Sequence, residues 1–282
     1  MGRPVVSRAT LYVVATPLGN LGDLSPRAGD VLRTVGLVAA EDTRRARTLL
    51  ARLAARPRVL SLHAHSSPAR IGTVLAALNE GESVALLTDA GTPGISDPGA
   101  DLVARARAAG VPVVAVPGPS AVTAALSVSG LPADRYVFLG FLPRKGPDRA
   151  ALLERAAASE WTVVVFEAAN RLVHTLGDLA AACGADRHAM VARELTKLHE
   201  EAPSGTLDQL EGYYRERPPR GEVTIVIAGS RVTYEKAVDP GAARERARRL
   251  LDGGLSRRDA AQRLAGELGL SRNRAYALVA GL

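Results

Sequence analysis

Through the first 116 residues, short apolar and β-branched runs alternate with longer Ala/Leu/Arg-rich stretches whose apolar positions recur at helical spacing. Residues 11–16 (LYVVAT), the run VGLVAAE, residues 59–63 (VLSLH), 83–88 (SVALLT) and 111–116 (VPVVAV) read as strands. Residues 28–34, 43–52, 71–78 and 101–109 read as the helices between them. SVALLT is apolar without alternation, which suits a strand covered on both faces. Strands separated by helix-length segments predict βαβ units and a mostly parallel sheet.

The pattern then loosens. Residues 117–132 (PGPSAVTAALSVSGLP) read as a turn, a helix and a linker into a second region. There YVFLGFL, WTVVVFE, HAMVARE and EVTIVIAG are strand candidates, with helices over 149–158 and 171–182. Their uneven spacing predicts a mixed sheet. Beyond Gly229 no strand-like run remains, and residues 242–282 hold nine arginines against four acids. Ala260, Leu264 and Leu268, then Ala275, Leu278 and Val279, fall on helical faces. Ser256 and Ser271 stand at N-cap positions and Gly269 ends the first of these helices, a pattern that fits a helix-turn-helix in contact with RNA and equally a solvated helical tail packed on the rest of the chain. The expected organisation is therefore α/β: an α/β domain over 1–117, a second over 118–235, and a small arginine-rich helical region over 236–282.

Composition narrows the partners. The net charge of +7 favours an anionic macromolecule, although arginine fills nearly every basic position, since lysine occurs only at 145, 197 and 236. The single cysteine, Cys183, excludes an internal disulfide and reads as a small buried apolar residue. His63 and His65 alternate as in some metal sites, but loop histidines are the commoner reading and no metal is expected. No apolar run is long enough to span a bilayer, and the opening segment lacks the apolar core of a signal peptide. A cytoplasmic location without membrane attachment is the expectation.

Chemistry should gather where the parallel strands end, because ligands of open α/β sheets bind beyond the strands' carboxyl ends. Four special segments fall there: ATPLGNLGD, EDTRR, TDAGTPGISDPG and PGPSA. Glycine and proline let backbone approach a ligand closely and hold it. A GxxxxGK[ST] phosphate loop is absent, as is the GxGxxG dinucleotide fingerprint. The central loop carries Asp89 and Asp97 and no base, so a phosphate there would face two carboxylates. A neutral or cationic ligand with hydroxyl and amino donors fits better, and S-adenosylmethionine has these features.

TPLGNLGD, AEDTR, TDAGTPGISDPG, VPGPSAV, GFLPRK and ARELTKLHEE, in this order, closely resemble the ribosomal RNA small-subunit methyltransferase I family. Its members are 16S rRNA cytidine 2′-O-methyltransferases of the tetrapyrrole methylase superfamily. The resemblance is strong from Leu11 to Gly229 and weaker in the tail. It implies two α/β domains with S-adenosylmethionine in the cleft between them, a homodimer, and 16S rRNA or the small ribosomal subunit as partner. By similarity, Leu18, Asp89, Gly91, Thr92, Ser120, Ala121 and Ala192 should line the cofactor pocket. FEAANR departs from the aromatic-Glu-Ser-x-His-Arg segment of relatives, and KLHEE from their Lys-Thr-aromatic-Glu pattern.

Methyl transfer to a ribose hydroxyl needs alignment and an acceptor for the hydroxyl proton. Candidate catalytic residues come from AEDTR and ARELTK: Asp42 or Glu194 as the acceptor, with Arg44, Arg193 and Lys197 holding phosphates. Glu41 is expected in an arginine–carboxylate network between the domains. Asp97 and Pro98 read at least as well as a cap of the following helix as a ligand contact. Trp161 and Phe138 read as core. Two rival functions remain open at this stage: a small-molecule tetrapyrrole methylase, and a non-catalytic RNA-binding assembly protein.

Overall fold

The five apolar runs of the first half form one parallel sheet in the computed structural model, which describes residues 9–63, 66–230, 240–268, 270 and 272–282. Its strands are β1 (Leu11–Val14), β2 (Leu37–Ala40), β3 (Arg58–Ser61), β4 (Val84–Leu87) and β5 (Val113–Val116), in spatial order β3-β2-β4-β1-β5. Alternate strand positions divide between two cores. Val14, Val38, Ala40, Ala85, Leu87 and Val116 meet α1 (Pro26–Thr34) and α2 (Thr43–Arg52) on one face. Leu11, Leu37, Ala39, Val84 and Leu86 meet α3 (Pro68–Asn79) and α4 (Ala100–Ala108) on the other. β2 and β4 are buried at every position, as a strand covered on both faces must be. Helix starts follow local chemistry: the Ser25 hydroxyl accepts the Ala28 N–H with Pro26 at the first position, and Asp42 caps α2.

Strand order places the crevice. From β1 the chain crosses over β4 to β2, whereas from β4 it crosses over β1 to β5. These crossovers run in opposite directions, so their common handedness puts α1 and α4 on opposite faces. The loops leaving β1 and β4 part to either side of the sheet, with a ligand crevice above their carboxyl ends.

After α5 (Ala121–Ser129) come β6 (Tyr136–Phe141), α6 (Pro147–Ala158), β7 (Thr162–Ala168), α7 (Leu172–Cys183) and β8 (His188–Arg193), then β9 (Ser204–Thr206), α8 (Leu207–Glu216) and β10 (Glu222–Ile227). The second sheet is mixed, in order β6-β7-β10-β8-β9, with β6 and β7 parallel and the other pairs antiparallel. Val163, Val165, Ala189, Val191, Val223, Ile225 and Ile227 pack on α6, α7 and α8. β9 and α8 go beyond the strands and helices expected from sequence. α8 nonetheless carries a full capping box between Thr206 and Gln209, and buries Leu207, Leu210 and Tyr214 at helical spacing.

By packing, the chain divides into two compact units, Met1–Ala228 and Gly229–Leu282. Both sheets lie in the first. The second contains α9 (Pro240–Asp252), α10 (Arg257–Leu268) and α11 (Arg272–Ala280), one helix more than the sequence pattern predicts. These helices share a core of Ala247, Leu250, Ala260, Ala261, Leu264, Leu270, Ala275 and Val279. Ser256 caps α10 by accepting the Asp259 N–H at 3.2 Å, as its position suggests. Gly269 and Ser271, and likewise His65, lie outside the described residues.

Trp161 is not core. Its position just before β7 leaves it 48% exposed, with the Arg135 guanidinium 5.9 Å from the ring centre. Cys183 is half-buried at the end of α7, and burial pushes its thiol up. Among the described residues no helix is long and apolar enough to cross a membrane, and no three metal-ligating side chains gather.

Candidate active site

The four strand-end loops are tied to one another through the central one. Backbone bonds run both ways between Thr16 and Gly91, at 2.8 and 3.0 Å, joining the loops after β1 and β4. Gly91 has φ +82°, a region that favours glycine, and Leu18 lies 3.4 Å from where a Cβ would stand. The Thr92 hydroxyl donates to the Pro119 carbonyl at 3.1 Å, fastening the loop after β5. The Asp42 backbone N–H donates to Asp89 Oδ1 at 3.0 Å, and Arg45 lies 3.6 Å from Asp89 Oδ2, which brings in the loop after β2.

These loops form one wall of a cavity of about 310 Å³, within the range of small-molecule sites. The opposite wall is a single row across the second sheet. Phe141 of β6 pairs with Phe166 of β7, Phe166 with Thr224 of β10, and Thr224 with Ala192 of β8. All four side chains line the cavity. The segment after β8 closes the gap between the walls, because the Asn20 N–H donates to the Thr196 hydroxyl at 3.1 Å. Lys197 crosses directly over Gly19, where a Cβ would overlap its side chain. Glu194 and Thr196 hold left-handed backbone, at φ +53° and +67°, although neither is glycine. Such strain persists only where its surroundings enforce it, and it gathers at functional sites.

The cavity is electronegative. Glu41, Asp89, Asp97, Glu194 and Glu222 line it, against Arg45 and Lys197. Burial, then the neighbouring Asp97 and Asp89 charges, pushes the Glu41 carboxyl above its usual range, while a 3.3 Å bond from the Thr88 hydroxyl opposes this. Burial likewise raises Asp97, with Asp89 and Glu222 adding to the shift and Thr88 opposing it. Carboxyls held so are relieved by a cationic ligand and penalised by an anionic one.

Leu18, Asp89, Gly91, Thr92, Ser120, Ala121, Ala192, Glu194 and Lys197 are therefore brought together around one cavity. Asp42 and Arg44 are not among the lining residues. Asp42 accepts the Arg44 backbone N–H at 2.7 Å as the cap of α2 and pairs with its guanidinium, also at 2.7 Å. Hydrogen bonds from Arg44 hold its carboxyl far below the usual range, which makes it a poor proton acceptor. Arg193 turns to Glu201 at 2.7 Å. Two expectations need correction. Asp97 does not cap α4, whose N-cap is Gly99; it faces the cavity instead. Glu41 joins no arginine network among the described residues, because its carboxylate is turned inward to Thr88.

Sequence reasoning missed Arg45, Ile95, Phe141, Phe166, Glu222 and Thr224. Glu222 and Thr224 alternate on β10 with core residues, a signal present in EVTIVIAG. Phe141 was hidden by a bulge. Phe138 pairs with Val164 but Phe141 with Phe166, so β6 spends three residues where β7 spends two.

The chain matches the family model described as Tetrapyrrole (Corrin/Porphyrin) Methylases over residues 10–211. It is 45% identical over 268 residues to the "Ribosomal RNA small subunit methyltransferase I" of Synechocystis sp., covering 95% of this chain and 96% of that one. The protein of the same name from Escherichia coli O157:H7 is 41% identical, with 81% of each chain covered. The one from Thermotoga maritima is 43% identical over 219 residues, which cover 78% of this chain but 98% of that one. Among solved structures, the fold resembles a cobalt precorrin-4 methyltransferase at TM-score 0.63 and 21% identity, over 80% of this chain and 97% of that one. It also resembles diphthine synthase at TM-score 0.60 and 17% identity, over 78% and 90%.

Proposed function

Since the chain belongs to the tetrapyrrole methylases, and among them to the ribosomal RNA small subunit methyltransferase I family, we propose that it methylates the 2′-hydroxyl of a cytidine ribose in 16S rRNA of the small ribosomal subunit, with S-adenosylmethionine as donor. Near end-to-end likeness to that family carries the reading. The cavity supports the choice of donor, because a wall of carboxyls raised by burial and by one another favours a cationic ligand over a phosphate.

Asp89, Gly91, Thr92, Ser120, Ala121 and Ala192 would hold the donor, with Leu18 against its apolar part. When bound, it supplies a methyl group activated by positively charged sulfur. What remains for the protein is alignment, exclusion of water and removal of one proton. Glu194 is our choice for the proton acceptor. It lines the cavity, its backbone is fixed in left-handed geometry, and Lys197 Nζ bonds its Oε1 at 3.0 Å. Lys197 then orients that carboxylate and offers positive charge to the RNA backbone. Asp42 and Arg44 serve the reading indirectly, through the start of α2 and its backbone bond to Asp89.

The test uses the full chain, radiolabelled S-adenosylmethionine and three acceptors: small ribosomal subunits, naked 16S rRNA and a precorrin-type tetrapyrrole. Label is expected in RNA, on one ribose mapped by mass spectrometry of nuclease fragments. Label on the tetrapyrrole alone, or donor binding without transfer to any RNA, would overturn the assignment.

A further inference from the structure

All three phenylalanines of this chain meet at one place beside the cavity. Phe138 and Phe141 both pack on Phe166, with ring centres 4.8 and 5.4 Å apart. In a regular strand Phe138 and Phe141 would face opposite sides of the sheet. The bulge between them, with Gly140 at φ +65°, turns Phe141 onto the cavity side. Phe166 supports it from below, yet Phe141 stays 47% exposed. It stands at the edge strand of the row that ends in Ala192, three interstrand steps and roughly 14 Å away.

The loop that follows is basic and firmly held. Arg144 and Lys145 are exposed and have no ion-pair partner among the described residues. Just before them, Arg171 donates to the Leu142 carbonyl at 2.8 Å and Arg149 to the Pro143 carbonyl at 2.9 Å. Both guanidiniums are themselves anchored from the core. Arg149 bonds Asp178 and Thr175, and Thr175 and Arg171 both reach Glu167, which is fully buried. Burying such a network is costly and seldom adds net stability. Here it holds the turn that follows the exposed Phe141 ring and carries Arg144 and Lys145, which have no ion-pair partner among the described residues.

Resting on the function proposed above, we infer that Phe141 is the stacking platform for a base of the bound rRNA, and that Arg144 and Lys145 hold neighbouring phosphates. Single-stranded nucleotides are bound by this combination, an aromatic face for the base and cations along the backbone. Three residues of extended chain reach at most about 11 Å, a span that covers a nucleotide and its flanking phosphates. The placement also divides the cavity. Its acidic part, under the loops of the first sheet, is left to the cationic donor, and its aromatic and basic rim receives the RNA.

The test compares Phe141→Ala, Phe141→Leu, Phe141→Trp and the double variant Arg144→Ala/Lys145→Ala in the full chain. It measures kcat/KM on small subunits, Kd for S-adenosylmethionine and for RNA, and the oligomeric state by sedimentation. Phe141→Ala should lower kcat/KM on the order of tenfold to a hundredfold, with donor Kd unchanged within about threefold. Phe141→Trp should restore most of the activity and Phe141→Leu little, because only an aromatic ring stacks. The double variant should raise KM and make the salt dependence shallower by one to two phosphate contacts, about 0.7 each in log–log slope. Rescue by leucine equal to that by tryptophan would reduce the ring to packing and overturn the role. Parallel loss of donor affinity would assign the ring to the donor, and a change in oligomeric state at unchanged RNA affinity would assign it to a second copy; both overturn it. A wild-type protein that methylates no RNA overturns the function itself, and the unsubstituted reaction distinguishes that failure from failure at Phe141.

Discussion

The buried carboxylate of Glu167 offers a quantitative check on how the basic rim loop is held. Its Oε1 accepts the Ala168 N–H at 2.9 Å. Its Oε2 accepts the Thr175 hydroxyl at 2.7 Å and faces Arg171 at 3.1 Å. In Glu167→Gln one of these oxygens becomes an NH2, and either orientation turns that NH2 towards an existing donor. The substitution thus removes the charge opposite Arg171 and at least one charge-assisted bond, each such bond being worth about 1.5–3 kcal/mol. Breaking a buried pair from one side costs about 3–5 kcal/mol, so about 3 kcal/mol is expected for this isosteric change. For a unit of this size each kcal/mol lowers Tm by about 2–4 °C, which gives a fall of about 6–12 °C. Urea unfolding of the full chain, followed by circular dichroism, would measure the loss. Glu167→Gln/Arg171→Met should cost about 1–3 kcal/mol less than the sum of its single changes, because each single change leaves the other partner stranded. Additive costs, or a fall in Tm below about 2 °C, would refute the view of these residues as one coupled clamp.

Three further outcomes follow from the site and its scaffold. Glu41 and Asp97 are raised from ordinary values of 4.5 and 3.8, so affinity for a cationic donor should begin to fall above those pH values as the medium is acidified. Because their ionised forms burden the unliganded fold, Glu41→Gln should raise Tm at neutral pH, a gain that vanishes once unfolded glutamate is also protonated, near pH 4; calorimetry and donor titrations across pH check both signs. Gly99→Ala places a Cβ 2.7 Å from Leu86 Cδ2 in a backbone of φ +130°, and should cost about 2–5 kcal/mol from strain plus overpacking. Gly81→Ala, at φ +92° with nothing within 4 Å, should cost only the backbone part, about 1–2 kcal/mol, so equal losses in urea melts would refute the steric term. Ending the chain at Ala228 keeps every residue of the cavity, so donor affinity should persist while RNA affinity falls and its salt dependence becomes shallower; unchanged RNA binding in filter assays would show that the arginine-rich unit does not touch RNA.

Much of this architecture was legible along the chain because its signals are local. Apolar runs of strand length, helical periodicity and a capping residue such as Ser256 each act within a few residues of themselves. They suffice for a parallel sheet, a mixed sheet and a helical tail. The glycine- and proline-rich loops marked the binding edge for the same reason, and the bare pair of aspartates already argued for a ligand without phosphate. What the chain alone left ambiguous depends on partners distant in sequence. Asp97 reads as a cap or a ligand contact until packing turns it towards Glu41 and Asp89, and Asp42 reads as a candidate proton acceptor until its bonds to Arg44 are seen. Phe141 sits at the wrong parity for the cavity until a bulge, visible only in its register with β7, adds one residue and reverses its face. Sequence thus marked most of the strands and helices and the binding loops, though not β9, α8 or the third helix of the C-terminal unit, since those choices are made largely by neighbours. The tertiary structure decided which charged and aromatic side chains share the cavity, since register and burial are set between segments that meet only in the fold.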